Sequence, residues 1–209
     1  MIDLVLPESR MGFADTLMQM HQDRKRVFVD RLGWQLSAPG SWLEVDEFDN
    51  DFAVYLIARS DCGRRHVGSV RLLPSTRPHM LDAVFGALCS GEVPKGEDVW
   101  EISRLITSPV GANGTTVLKL HRLLALALVE FAEANGISRY TLVTEPHRVP
   151  ALLSVGWKVM PLGLPMPFNG EMLQALQIQI GTETLAEMRE RTRIEQPVLR
   201  VAEADRRAA

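Results

Sequence analysis

Residues 99–106 read VWEISRLI, a run with the β-branched and aromatic content of a buried strand that nevertheless carries Glu101, Ser103 and Arg104. In such a setting a carboxylate is a candidate proton acceptor and a guanidinium a candidate partner for an anion. Charges recur in apolar surroundings elsewhere along the chain. Arg24 and Phe28 stand one helical turn apart, Trp34 follows shortly after, EVDEFDN sets Asp46 and Asp49 three apart, and Arg71 interrupts the otherwise apolar GSVRLLP. These arginines and carboxylates form a set of mixed sign. Desolvated charges are tolerated when paired, and such a set suits a small ligand bearing both an ammonium and a carboxylate. The aromatics could stack a heterocycle or face a cation. Taken singly, each residue also has a structural reading: Trp34 as a core anchor, Asp46 and Asp49 as turn formers, Glu101 and Arg104 as an i,i+3 pair on a solvated edge strand.

The elements that must position these groups follow from pattern. IDLVL (2–6) reads as a short strand, and Ala14 to Leu32 as a helix stopped by Gly33. Residues 35–51 hold no sustained period and read as a long loop, a kind that is usually functional or mobile. Residues 52–60 and 65–74 form a hairpin, 79–89 are short-helical or irregular, and 98–108 are the next strand. Alternation there places Trp100, Ile102 and Ile106 on one face, with Glu101, Ser103 and Leu105 on the other. Arg104 falls among the apolar set unless a bulge shifts the register. A long apolar helix, capped by Thr115, covers Thr116–Ala134 and ends at Asn135-Gly136. Strands at 138–145, from about Trp157, and at 172–180 follow, with a short helix at RVPALLSVG and a charged helix at 182–193. The expectation is one α/β domain with a mixed sheet over 1–193 and a flexible tail over 194–209.

Composition bounds the function. The chain has 209 residues, 46% hydrophobic and 23% charged, enough for a full core. A formal charge of −3 argues against generic nucleic-acid binding. Cys62 and Cys89 lack any CxxC or Cys/His spacing, so a reduced, cytoplasmic setting is expected. MIDLVLPESR is not a secretory signal, and no uncharged apolar stretch approaches the roughly 20 residues of a membrane span.

The ordered series Arg24, Phe28, LGW with Trp34, EVDEFD with Asp46 and Asp49, GSVRLLP with Arg71, MLDAVF with Phe85, and WEISR with Glu101, Ser103 and Arg104 resembles the acyl-homoserine-lactone synthases of LuxI type. GW at 156–157 continues the pattern, and GWKVMPLGLPMPFNG (156–170) is similar to one branch of that family. The resemblance implies a GNAT-like acyltransferase fold, a mixed splayed β-sheet with helices on both faces. It implies an enzyme that acylates the α-amine of S-adenosylmethionine from an acyl thioester, carried on acyl carrier protein or coenzyme A. Lactonisation then releases methylthioadenosine and an N-acyl-homoserine lactone signal. No cofactor or metal is implied, S-adenosylmethionine being a substrate. Glu101 would be the base and Arg104 its catalytic companion. Arg24, Phe28, Trp34, Asp46, Asp49 and Arg71 would bind S-adenosylmethionine. Phe85, Ser103, Leu105, Leu142, Thr144 and Leu152 would line the acyl chain, and Lys119, Arg122, Arg148 and Lys158 would dock an acidic carrier. The competing readings are a GNAT-type N-acyltransferase for another amine, without lactonisation, and a catalytically idle ligand-binding module.

Overall fold

A computed structural model describes residues 1–34, 41–108 and 114–201, apart from the side chains of residues 115 and 116. The expected Thr115 cap, the first part of the 35–51 loop and the last eight residues lie outside the described residues. In chain order the elements are β1 (Ile2–Val5), α1 (Ala14–Arg24), β2 (Val54–Arg59), β3 (His66–Pro74), α2 (Met80–Ala83), β4 (Val99–Thr107), α3 (Gly114–Asn135) and β5 (Arg139–Thr144). After these come α4 (Val149–Ser154), β6 (Lys158–Pro161), β7 (Met166–Phe168), β8 (Glu171–Gln179), α5 (Thr184–Thr192) and β9 (Leu199–Val201). The fold is α/β with an open mixed sheet. No described helix is long and apolar enough to cross a membrane. The chain divides into two compact units, one drawn from 1–71, 104–127 and 198–209, the other from 72–103 and 128–197.

In the first unit β1 runs antiparallel to β2, with Ile2 opposite Ala58 and Val5 opposite Tyr55. Every β1 residue is buried. Asp3 is tolerated there because Arg59 and Arg200 donate to its carboxylate at 2.6 and 2.5 Å. Arg200 belongs to β9, which lies parallel to β1. Part of the expected flexible tail is therefore a strand, held by that ion pair and by the Ile2 N–H to Val198 C=O bond. The expected helix over Ala14–Leu32 is also more specific than its period suggests. Past Arg24 the chain winds as a π-helix over Lys25–Arg31, the Leu32 N–H reaching back five residues to Val27 C=O. Gly33, at φ +71°, then ends it.

In the second unit β5 is central. It is antiparallel to β8 over six pairs, Arg139↔Gln179 to Thr144↔Gln174, while β6 and β7 both add antiparallel to β8. Its parallel pairing with β4 covers only Val99↔Arg139 to Glu101↔Thr141, after which the two strands part. That parting is the splay expected of the fold. Trp100 and Tyr140 face α3, with the Trp100 ring edge-on to Phe131 at 5.5 Å and the Tyr140 hydroxyl donating to Leu128 C=O. The opposite face is covered by α2 and the turn after it, where Leu81 and Leu88 pack with Leu173 and Ala175. Helices therefore cover both faces of this unit's strands.

β4 itself breaks alternation. Glu101 and Ile102 are both buried, then Arg104 and Ile106, with Leu105 40% exposed between them. Arg104 has φ +53°, a left-handed break in the strand of the kind a bulge makes. The left-handed conformation costs about 1–2 kcal/mol for a residue with a Cβ, so the surroundings must hold Arg104 firmly.

Candidate active site

The charged residues of the first unit do hold it. Arg24, on the last turn of α1, donates through Nε to Glu44 and through both terminal nitrogens to Asp49, at 2.8 and 2.9 Å. Arg71, on β3, grips Asp46 at 2.5 and 3.1 Å and reaches Asp49 at 2.9 Å. Arg104 donates to Glu44 at 3.1 Å and to Asp46 at 2.7 Å. Three guanidinium groups thus meet three carboxylates; Glu44 and Asp49 are each shared by two arginines, and Asp46 lies within 4.0 Å of all three. Two-pronged Arg–carboxylate geometry supplies both strength and orientation. Burial is severe: Arg24 and Arg71 are each 1% exposed and Glu44 is wholly buried. Desolvation of several kcal/mol per ion is offset only because every charge has multiple opposite partners. Of the three carboxylates, Asp46 keeps the most solvent contact, 15% of its side chain.

Local turns fix the acidic segment before any ligand arrives. The Phe48 N–H donates to Asp46 Oδ1, the Asp46 N–H donates to Asp49 Oδ2, and the Tyr55 hydroxyl donates to Asp49 Oδ1 at 2.8 Å. Arg10 anchors the end of the segment through the carbonyls of Asn50 and Ala53. The turn-forming reading of Asp46 and Asp49 and the ion-pairing one hold together. Glu44 is the residue missed from sequence. In the EVDEFD run only Asp46 and Asp49 stand at turn spacing, and no local feature sets Glu44 apart.

Electrostatics separates the arginines. Burial disfavours a guanidinium's charge, yet at Arg24 the Asp49 and Glu44 carboxylates more than reverse this, and at Arg71 Asp46 and Asp49 do the same. At Arg104 burial prevails: Glu44 and Asp46 do not offset it, and Arg71 and Arg24 repel. An arginine stays protonated in any case, so the direction means that Arg104 is the least compensated of the three. Asp49 is the converse. Burial would raise its carboxyl, but Arg24 and Arg71 hold it far below the usual carboxylate range. Its stabilisation is then complete above the unfolded-state value and is lost on acidification. Tm measured against pH is expected to be level above about pH 5 and to fall below about pH 4, where the unfolded chain takes up a proton that the folded chain refuses. A level Tm down to pH 3 would contradict this.

Phe28 and Trp34 stack with centroids 4.9 Å apart, and the Arg104 guanidinium lies 5.4 Å from the Phe28 centroid. Phe28 is buried and Trp34 half-buried. The first unit therefore brings together Arg24, Phe28, Trp34, Asp46, Asp49, Arg71 and Arg104, and adds Glu44.

In the second unit Glu101 is 2% exposed, and its Oε2 accepts the Leu81 N–H at 2.9 Å. Its register neighbour Thr141 is wholly buried with a hydroxyl that finds no partner. Thr141 was not singled out from sequence, because only the β4–β5 register places it beside Glu101. That register also places two of the residues expected to line the acyl chain. Leu142 and Thr144 alternate away from Thr141 onto the α3 face of β5. Phe85 packs against Phe168 with centroids 5.0 Å apart. Ser103 is half-buried on β4, and Leu152 is half-buried on α4. Leu105, 40% exposed, follows the register break in the first unit. Of the expected docking cations, Lys119 is exposed and Arg122 half-buried, whereas Arg148 and Lys158 already engage Glu145 and Glu187.

Residues 10–188 match the autoinducer synthase family model. The chain is 31% identical over 192 residues to the isovaleryl-homoserine lactone synthase of Bradyrhizobium diazoefficiens, covering 91% of this chain and 85% of the relative. It is 33% identical over 168 residues to an acyl-homoserine-lactone synthase of Ralstonia solanacearum, covering 78% and 81%. Among solved structures, the coenzyme A-dependent acyl-homoserine lactone synthase BjaI, with S-adenosylmethionine and isopentyl-coenzyme A, superposes with TM-score 0.87 at 30% identity, over 97% of this chain and 93% of that one. A candidate N-acetyltransferase of Lactobacillus plantarum shares the fold alone, at TM-score 0.57 and 18% identity.

Proposed function

The chain belongs to the autoinducer synthase family, and we propose that its buried charges divide one reaction between them, Glu101 moving the proton and the arginine–carboxylate cluster holding the amino-acid substrate. It is an acyl-homoserine-lactone synthase. The α-amine of S-adenosylmethionine attacks the carbonyl carbon of an acyl thioester, expelling the thiol. The methionyl carboxylate then attacks the carbon next to the sulfonium, closing the lactone and releasing methylthioadenosine. The sulfonium's positive charge disappears with the carboxylate's negative one, so the sequence balances without a cofactor.

An α-amine titrates near 8, so at neutral pH the substrate arrives mostly as an ammonium and must lose a proton before it attacks. Glu101 accepts that proton, directly or through one water. The observation that carries this role is its place: a carboxylate 2% exposed, one oxygen tethered by the Leu81 amide, at the last residue pair before β4 and β5 part. Backbone amides of β4 near the Arg104 register break suit the developing thioester oxyanion. Arg104, the least compensated arginine, receives the substrate carboxylate. Asp46, the most accessible acid of the cluster, receives the ammonium or sulfonium. Arg24 and Arg71 hold the acidic segment in place through Asp49. The Phe28–Trp34 stack borders the adenosyl group, with Trp34 the half-exposed ring.

Acyl-coenzyme A is the proposed donor, supported by the coenzyme A dependence of BjaI and by the internal pairing of Arg148 and Lys158. The proposed setting is the cytoplasm, in keeping with the free thiols of Cys62 and Cys89. Purified protein incubated with S-adenosylmethionine and acyl-coenzyme A, or acyl carrier protein in a parallel arm, is expected to release methylthioadenosine in step with acyl-homoserine lactone. Acylated amine without methylthioadenosine would favour the non-lactonising acyltransferase, and no turnover with either donor the binding module.

A further inference from the structure

The face of the second unit that carries Glu101 changes character along its length. Glu101, Thr141 and Gln177 form a row across β4, β5 and β8, each in register with the next and each buried. Two residues further, Val143 pairs with Ala175, and from there the face is apolar. Ala175 and Leu173 are buried with Leu81 and Leu88, and Phe85, Val143, Leu162 and Phe168 pack against them. Leu81 ties the two regions together, since its amide holds Glu101 while its side chain belongs to the apolar cluster. At the far end of this face Phe168 from β7 packs against the cluster, its ring tilted against Phe85 at 5.0 Å. Phe168 stands opposite Glu171, six residues along β8 from Gln177, or about 20 Å at ordinary strand rise.

The segment bearing Phe168 is firmly placed. β7 pairs with β8, the Ser90 amide donates to Leu162 C=O, and the backbone at Gly163 lies so close to the Leu88 carbonyl that no Cβ fits there. A ring on a fixed strand forms a rigid stop, unlike one on a free loop.

We propose that Phe168 sets the upper limit on the length of the acyl chain this enzyme transfers, by closing the apolar face that leads away from Glu101. The proposal rests on the reading that Phe85 and its neighbours line the acyl chain. With the thioester carbonyl beside Glu101, the methylene tail runs over Val143 and Ala175 toward the Phe85–Phe168 pair, and carbons beyond that pair meet a ring. Exclusion of one methylene from a well-packed apolar site discriminates about 10–200-fold, so a single ring is enough to shape the product distribution.

The test is the acyl-length distribution of homoserine lactones, measured by mass spectrometry, made by cells expressing the full chain as wild type, Phe168→Ala, Phe168→Trp or Phe85→Ala. Phe168→Ala is expected to raise the ratio of longer to wild-type-length products at least about tenfold, Phe168→Trp to shift products shorter, and Phe85→Ala to shift them longer. If Phe85→Ala changes the distribution and both Phe168 variants leave it as in wild type, the proposed stop is overturned while the pocket reading stands. If no variant changes it, the pocket reading itself fails. Should Phe168→Ala not fold, Phe168→Leu, which keeps an apolar side chain on β7, and Phe168→Trp decide the matter in its place.

Discussion

Glu101→Gln is expected to lower kcat by about 10²–10⁴-fold, the usual worth of a positioned proton acceptor, with Tm close to wild type. The substitution is nearly isosteric, and the glutamine side chain keeps an oxygen to accept the Leu81 amide. What it loses is the ability to take a proton from the substrate ammonium. A second readout separates that loss from a general disturbance. With its α-amine titrating near 8, S-adenosylmethionine becomes a free amine in alkaline solution and no longer needs the base. The deficit of the variant should therefore narrow as the pH rises through that range. A variant with wild-type kcat at neutral pH would remove Glu101 from the mechanism, and a large deficit unchanged by pH would point to a structural role instead.

The second large effect falls on stability. Glu44 is wholly buried and accepts from both Arg24 and Arg104. Glu44→Ala leaves those two guanidinium groups facing one fewer carboxylate inside the protein, and removing one partner from a buried ion network costs about 3–5 kcal/mol. For a domain of this size that is a fall in Tm of about 6–20 °C. The KM for S-adenosylmethionine should rise as well, because Asp46 would be drawn to fill the vacant place at Arg104. Glu47→Ala is the control, an exposed acid three residues along the same segment, expected within about 0.5 kcal/mol of wild type. Equal melting of the two variants would mean that the network contributes nothing to order.

The contrast between Glu44 and Glu47 also marks how far sequence carries. Where a side chain's surroundings are set by neighbours in the chain, pattern was enough: the start of α1, the stop at Gly33 and the hairpin of β2 and β3 follow from period and turn chemistry, whereas the π winding past Arg24 leaves no mark in the period. Where surroundings come from distant strands, pattern had little to offer. Nothing in EVDEFD marks its first acid as the one buried between two arginines. Nothing in RYTLVT says that Thr141, rather than Leu142 or Thr144, stands beside Glu101, because that depends on a three-pair contact with β4. β9 is three residues long and owes its place to Asp3 at the other end of the chain. The convergence of Arg24, Arg71 and Arg104 was legible only through the resemblance of the ordered motif set, since no local rule brings such widely separated positions together.

The wide winding of Lys25–Arg31 has a consequence for how this protein can change. A π segment holds more residues per turn than the α-helix that precedes it, so it behaves as a stored insertion upstream of Trp34. Loss of one codon from it would let the helix tighten toward ordinary pitch, turning the end of the helix by about 100° and separating the two stacked rings. A lineage carrying that deletion would keep Arg24 on the turn before the segment and Arg71 and Arg104 on their strands, yet lose the Phe28–Trp34 stack, so the aromatic pair can drift while the three arginines stay in place.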